Sequence, residues 1–166
     1  MTQLAPISNL VDILDTLIGL HRDLLEVTQD EQRAIVAGEL DEVERLTWRK
    51  QELIARLREM EPRRDAAVGA AAVSVGATEA TVGATGRCLD EPERSEMRRR
   101  RDELILLVRS LERVNRVTTR LLLRAIEFAD SSIRMLKHTT DTNPIYAAAG
   151  SVQENRRSEA WMDRLA

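Results

Sequence analysis

The stretch Glu93–Lys137 constrains the fold more than any other part of the chain. Leu104, Leu107, Leu111, Val114, Thr118, Leu121, Ala125, Phe128 and Ser132 follow one another at alternating spacings of three and four. That heptad rhythm lays a narrow, mostly apolar stripe along one face of a helix. Arg109, Glu112, Arg113, Arg116, Arg120, Arg124 and Glu127 fall mostly off the stripe, so the opposite face is solvated. Neither proline nor glycine interrupts the run. At 1.5 Å per residue such a helix would be about 68 Å long. A lone helix cannot bury that stripe in water, so the rest of the chain must supply partners.

Two earlier segments have the same character. Leu10, Ile13, Leu17, Leu20, Leu24 and Val27 repeat at three and four, behind Ser8 or Asn9 as a cap and with Asp12 and Asp15 in the early turns. Glu31 falls on the next stripe position, and the stripe is expected to shift there to Ala34 and Ile35. Gly38 is a natural helix stop. Beyond it, Leu40, Val43, Leu46, Leu53, Leu57 and Met60 form a second stripe, with Lys50 on it. So short a connection predicts an antiparallel helical hairpin. Lys50 is read as a seam residue with its stem buried and its ammonium reaching solvent. Pro62 should break or kink the second helix near Met60–Glu61. A loop at Ser74–Ala77, a weak helix over 78–88 and a loop at Leu89–Pro92 follow.

The expected fold is therefore all-α: an elongated antiparallel, coiled-coil-like bundle of three main helices, 9–37, 39–73 (kinked at Pro62) and 93–137. A short weak helix over 78–88 accompanies them. Residues 1–138 form the bundle domain and 139–166 a mobile C-terminal tail. The tail starts at a polar, turn-rich stretch before Pro144. Its few apolar groups are too little to offset an ordering cost of about 1–2 kcal/mol per residue. Its segment Glu154–Arg164 can form a helix on a partner.

Composition sets the function classes. The 166 residues are 43% apolar and 32% charged, with a net charge of −3 and both signs interspersed. A dedicated nucleic-acid binder needs a basic excess. The basic run Arg98–Arg101 is flanked by acids and reads as a solvated face, with contact to a phosphate or acidic partner as the alternative. One cysteine, Cys88, excludes an internal disulfide and a cysteine-only metal site. It is read as a small apolar residue of the short helix. The early Asp12 and Asp15, without a basic leader, do not make a secretory signal. No apolar run approaches the roughly 20 residues of a membrane span. A cytoplasmic protein is expected.

No catalytic motif stands out. Phosphate-loop, dinucleotide, nucleophile-elbow and HExxH patterns are missing from the sequence. No enzyme activity, cofactor or metal is expected. Histidine phosphotransfer through His21 stays as a remote alternative, although the following RDLLE lacks the lysine-glycine pair of phosphotransfer domains. Interaction chemistry remains. Ile126, Ile133, Met135 and Leu136 are expected to outrun the hairpin and expose an apolar surface for a partner helix. Ile145, Tyr146 and Trp161 of the tail complete the candidate partner-binding set.

The order of these features resembles the FlgN-type flagellar export chaperones. Ile35–Met60 is similar to that family's glycine-acid turn and leucine-rich second helix with an inward lysine. Arg64 and Gly76 stand where the family carries an arginine and then a glycine before a short helix. Asn115 before Leu121–Leu122 resembles its asparagine-rich approach to a leucine pair, with Thr118 where a second asparagine is typical. Asn143–Gly150 is similar to its tyrosine-to-glycine element. The resemblance implies a chaperone that binds the hook–filament junction (hook-associated) proteins. It would prevent their premature assembly and deliver them to the export gate of the flagellar type III apparatus, without nucleotide or metal. It also implies that the C-terminal region holds cargo and that the Tyr146 region contacts the gate. A filament-cap type chaperone and a generic coiled-coil scaffold stay open as alternatives, and so does the oligomeric state.

Overall fold

The computed structural model describes residues 4–141, with side chains over 5–137. Four helices follow in order: α1 (Leu4–Ala37), α2 (Leu40–Val75), α3 (Val82–Arg87) and α4 (Glu93–Asp141). No strand occurs among the described residues. The fold is all-α. By its internal contacts the chain divides into two compact units, Met1–Thr119 and Arg120–Ala166, and α4 contributes to both.

In the first unit, α1 and α2 form a hairpin. Its turn is fixed by Gly38, whose φ of 75° is open to glycine at little cost. The Gly38 N–H donates to the Ile35 carbonyl at 3.2 Å and the Glu39 N–H to the Ala34 carbonyl at 3.0 Å. These two bonds satisfy carbonyls that the end of α1 would leave open. Gly76, at φ 68°, closes α2 with the same pair of bonds, to Val73 and Ala72.

The stripes close a core in two layers. At the open end of the hairpin, Ile7, Leu10 and Leu14 of α1 meet Ala67, Val68 and Ala71 of α2 and Met97 of α4. Nearer the turn, Leu20 and Leu24 meet Leu53 and Leu111. Met97 shares a layer with Leu10 and Leu111 shares one with Leu24, so within this unit α4 runs parallel to α1 and antiparallel to α2. The short α3 starts at Thr81, whose hydroxyl accepts from the Ala84 N–H at 3.0 Å. It seats on α4 so closely that a Cβ at Gly86 would stand 3.1 Å from Met97 Cγ.

Several local expectations are corrected. Ser8 and Asn9 do not cap α1, because the helix already starts at Leu4. Pro6 lies in its first turn, where the missing N–H has no helical partner to lose. Pro62 does not break α2, which continues to Val75. Residues 61–66 are all exposed and so is Arg58, so the carbonyl left without an N–H donor there faces water. The stripe of α1 does not shift at Glu31. Glu31 stays on it, 5% exposed, followed by Ala34 at 4%. Cys88 is exposed and caps the end of α3.

Arg100 departs from the solvated-face reading of its run. Its side chain is 14% exposed, against 79% for Arg98. Position 100 falls on the α4 stripe, three residues after Met97 and four before Leu104. The guanidinium grips Asp15 of α1 with two bonds, Nε to Oδ1 at 2.7 Å and Nη2 to Oδ2 at 3.1 Å. Its Nη1 donates to Glu96 at 2.6 Å. A second pair, Arg22 with Glu103, also ties α1 to α4. The hydrogen bond from Arg100, then the charge of Arg99, holds the Glu96 carboxyl below its ordinary value of 4.5.

We expect Arg100→Ala to cost about 1 kcal/mol near neutral pH in urea unfolding, the scale of a partly exposed ion-pair network. The Glu96 contribution is fully present above its ordinary pKa and fades as pH falls through the lowered native one. The deficit of the variant should therefore shrink on acidification below pH 4.5. A deficit independent of pH would assign the effect to lost packing alone.

Candidate functional site

Burial along α4 changes character near the unit boundary. Leu111 and Thr118 are buried, and Val114, the stripe position between them, is half-buried. From Arg120 to Lys137 no described side chain is buried. This second unit nevertheless carries most of the large exposed apolar residues of α4. Leu122, Leu123, Ile126, Phe128, Ile133, Met135 and Leu136 are all 44–76% exposed, Phe128 the most.

Helical spacing gives this surface its form. Leu121, Ala125, Phe128, Ser132 and Met135 continue the long stripe at steps of four and three. Leu122, Ile126, Ala129, Ile133 and Leu136 make a second series with the same steps. Successive residues on a helix are about 100° apart, so the two series lie side by side and the apolar face is broad rather than a narrow seam. Arg120, Arg124, Glu127, Ser131 and Arg134 fill the opposite face. Ser132 does not interrupt the apolar surface chemically, because its hydroxyl donates back to the Phe128 carbonyl at 2.9 Å. Ser131 does the same to Glu127 at 2.8 Å.

Of the candidate residues read from sequence, Ile126, Ile133, Met135 and Leu136 lie here, within less than three turns of one another. Ile145, Tyr146 and Trp161 lie outside the described residues. Sequence reasoning left Leu122, Leu123 and Phe128 out of the set. Leu122 falls on the second series and Phe128 on the long stripe itself, so helical spacing was the signal that could have found both, whereas Leu123 lies on neither series.

Little else among the described residues offers chemistry. No group of three or more His, Cys, Asp or Glu could hold a metal ion. No described helix is long and apolar enough to cross a membrane. His21 is half-buried, and its Nδ1 donates to the Leu17 carbonyl at 2.7 Å, an acceptor that requires the proton on that nitrogen. Lys50 does not simply reach solvent. Its ammonium pairs with the buried Glu31 carboxylate, whose other oxygen accepts from the Thr47 hydroxyl at 2.9 Å.

A helical hairpin, a short helix and a long last helix with an exposed apolar face make up the described residues. A family model described as FlgN protein matches residues 1–154. The chain belongs to the FlgN family. That places it among flagellar export chaperones, and the match spans nearly the whole chain. No curated protein and no solved structure matches it.

Proposed function

We propose that this chain is a cytoplasmic export chaperone for the hook-associated proteins of the hook–filament junction, and that it presents them to the flagellar export gate. It works by non-covalent binding, without catalysis, cofactor or metal. The observation that carries this reading is the broad, exposed apolar face of 120–137.

The mechanism follows from that face. A cargo helix with apolar residues at i, i+3, i+4 and i+7 lays its own stripe against Leu122, Ile126, Phe128 and Ile133. Each large side chain so covered contributes about 1.5–3 kcal/mol. Ordering a cargo segment that is disordered when free offsets much of that sum. Affinity is then moderate, which suits a client that must be let go at the gate. While bound, the cargo stripe is unavailable for assembly with other subunits.

The test is co-purification of the full chain, and of a chain ending at His138, with each of the two hook-associated junction proteins. Binding by both forms is the expected result and assigns the contact to α4. Binding by the full chain alone moves the contact to residues 139–166. Binding by neither form overturns the cargo assignment and favours a filament-cap client or a scaffold role.

A further inference from the structure

A different surface, in the first unit, lies beside α3. Two clefts adjoin there and share Val82 and Arg101. The first, of about 460 Å³, is lined by Leu14, Val68, Val82, Leu104 and the partly exposed Ile105, with the Arg64–Asp65 ion pair at its edge. The second, of about 320 Å³, is ringed by Arg87 of α3 and by Arg94, Arg98 and Arg101 of α4, with Gly83 and Gly86 between them. Positions 94, 98 and 101 are one helix face at steps of four and three. That face looks across the cleft at a fourth guanidinium. A Cβ at Gly83 would come within 3.2 Å of Arg101 Nη1, so the glycine leaves room for the arginine to lie over it.

The charge here is not balanced from within. Asp102 is the carboxylate that meets this group, at 3.7 Å from Arg98 and 3.1 Å from Arg101. Arg94 donates to the Leu89 carbonyl at 2.9 Å. Arg87 has no ion-pair partner among the described residues. A merely solvated basic face would spread its arginines over the outside of α4. Here two elements bring four of them to one hollow, in a chain whose net charge is −3. Crowded like charges beside an open apolar cleft are a local conflict that a bound anion with an apolar anchor relieves.

We infer that these adjoining clefts dock an acidic peptide segment of a partner protein, with one apolar side chain seated among Leu14, Val68 and Leu104 and successive carboxylates held by Arg87, Arg94, Arg98 and Arg101. Arg94 and Arg101 are about 10 Å apart along the helix axis. That spread suits several carboxylates on one chain better than one compact phosphate. Guanidinium forks bind carboxylates with two bonds each. The acidic chain as a whole repels long polyanions, which speaks against nucleic acid. The surface is separate from the α4 face of residues 120–137, and the inference stands whatever cargo that face takes.

The test uses the full chain and a fluorescein-labelled synthetic peptide with one leucine followed by glutamates, alongside a twin with glutamines in their place. In low salt, anisotropy should show the glutamate peptide binding at least about tenfold more tightly than its twin. The double substitution Arg87→Gln with Arg98→Gln should erase that difference, and added salt should weaken binding. Ile105→Gln should weaken both peptides about threefold or more. These three side chains are exposed, and unchanged thermal melting confirms the fold of each variant. Equal binding of the two peptides, or binding indifferent to Arg87 and Arg98, overturns the inference. So does a short single-stranded RNA, or inorganic phosphate alone, that displaces the peptide at equal concentration.

Discussion

Lys50→Met should destabilise the first unit by about 3–5 kcal/mol, the cost of stranding a buried charge by removing its partner. Glu31 is 5% exposed on the inner face of α1, and the Lys50 ammonium is the cation that meets it. The Thr47 hydroxyl serves its other oxygen and cannot neutralise it. Methionine keeps most of the lysine stem, so packing loss is small and the effect is electrostatic. Urea unfolding near neutral pH measures it as a fall in midpoint at constant slope. The double variant Glu31→Leu with Lys50→Met should recover most of the loss, because a buried pair replaced by apolar groups is often neutral or stabilising by about 1–4 kcal/mol. A single-variant loss below about 1 kcal/mol would mean that water already screens the pair. A double variant as unstable as the single would mean that the shape of the site, not its charge, is what matters.

That pair also shows where sequence reading stops. The apolar stripes were plain in the chain, and with them the all-α class, because period and length are local properties. Glu31 and Lys50 each stood out as polar residues at stripe positions, and each was read alone. Taken alone, one suggests a stripe that moves, the other a residue that snorkels to water. Their meeting depends on the register of the hairpin across the Gly38 turn, which no single stripe contains. Arg100 repeats the lesson. It sits inside a run of four arginines, and its inward position follows only from counting back to Met97 and forward to Leu104. Its partner Asp15 lies on another helix. Pro62 failed as a break for a different reason: the carbonyl it orphans faces solvent, and the cost of a proline there is met by water rather than by ending the helix. On the candidate site, four of the seven residues named from sequence fall on the exposed part of α4. Of the three omitted neighbours, Leu122 belongs to the same series as the named Ile126, Ile133 and Leu136, Phe128 lies on the long stripe with Met135, and Leu123 lies on neither, so spacing marks the first two and exposure alone marks the third.

Ile126→Glu with Ile133→Glu should weaken cargo binding by at least about a hundredfold while leaving the fold intact. Both side chains are more than half exposed, at 59% and 51%. Removing them from the free protein therefore forfeits little burial, and glutamate is a good helix former. Stability should change by less than about 1 kcal/mol. In the complex the balance differs. Two anchors of about 1.5–3 kcal/mol each are lost, and two carboxylates must be desolvated against an apolar cargo stripe. A loss of 3 kcal/mol or more corresponds to a factor above about a hundred in Kd. Arg124→Glu, on the polar face of the same turns, is the matched control and should change binding by less than about threefold. Calorimetric titration of each variant with a hook-associated protein reads the difference directly. If Arg124→Glu weakens binding as much as the double isoleucine variant does, cargo recognition is electrostatic and the broad apolar face is not its seat. If neither variant weakens it, cargo is held elsewhere in the chain, and this face must be covered by something other than the client.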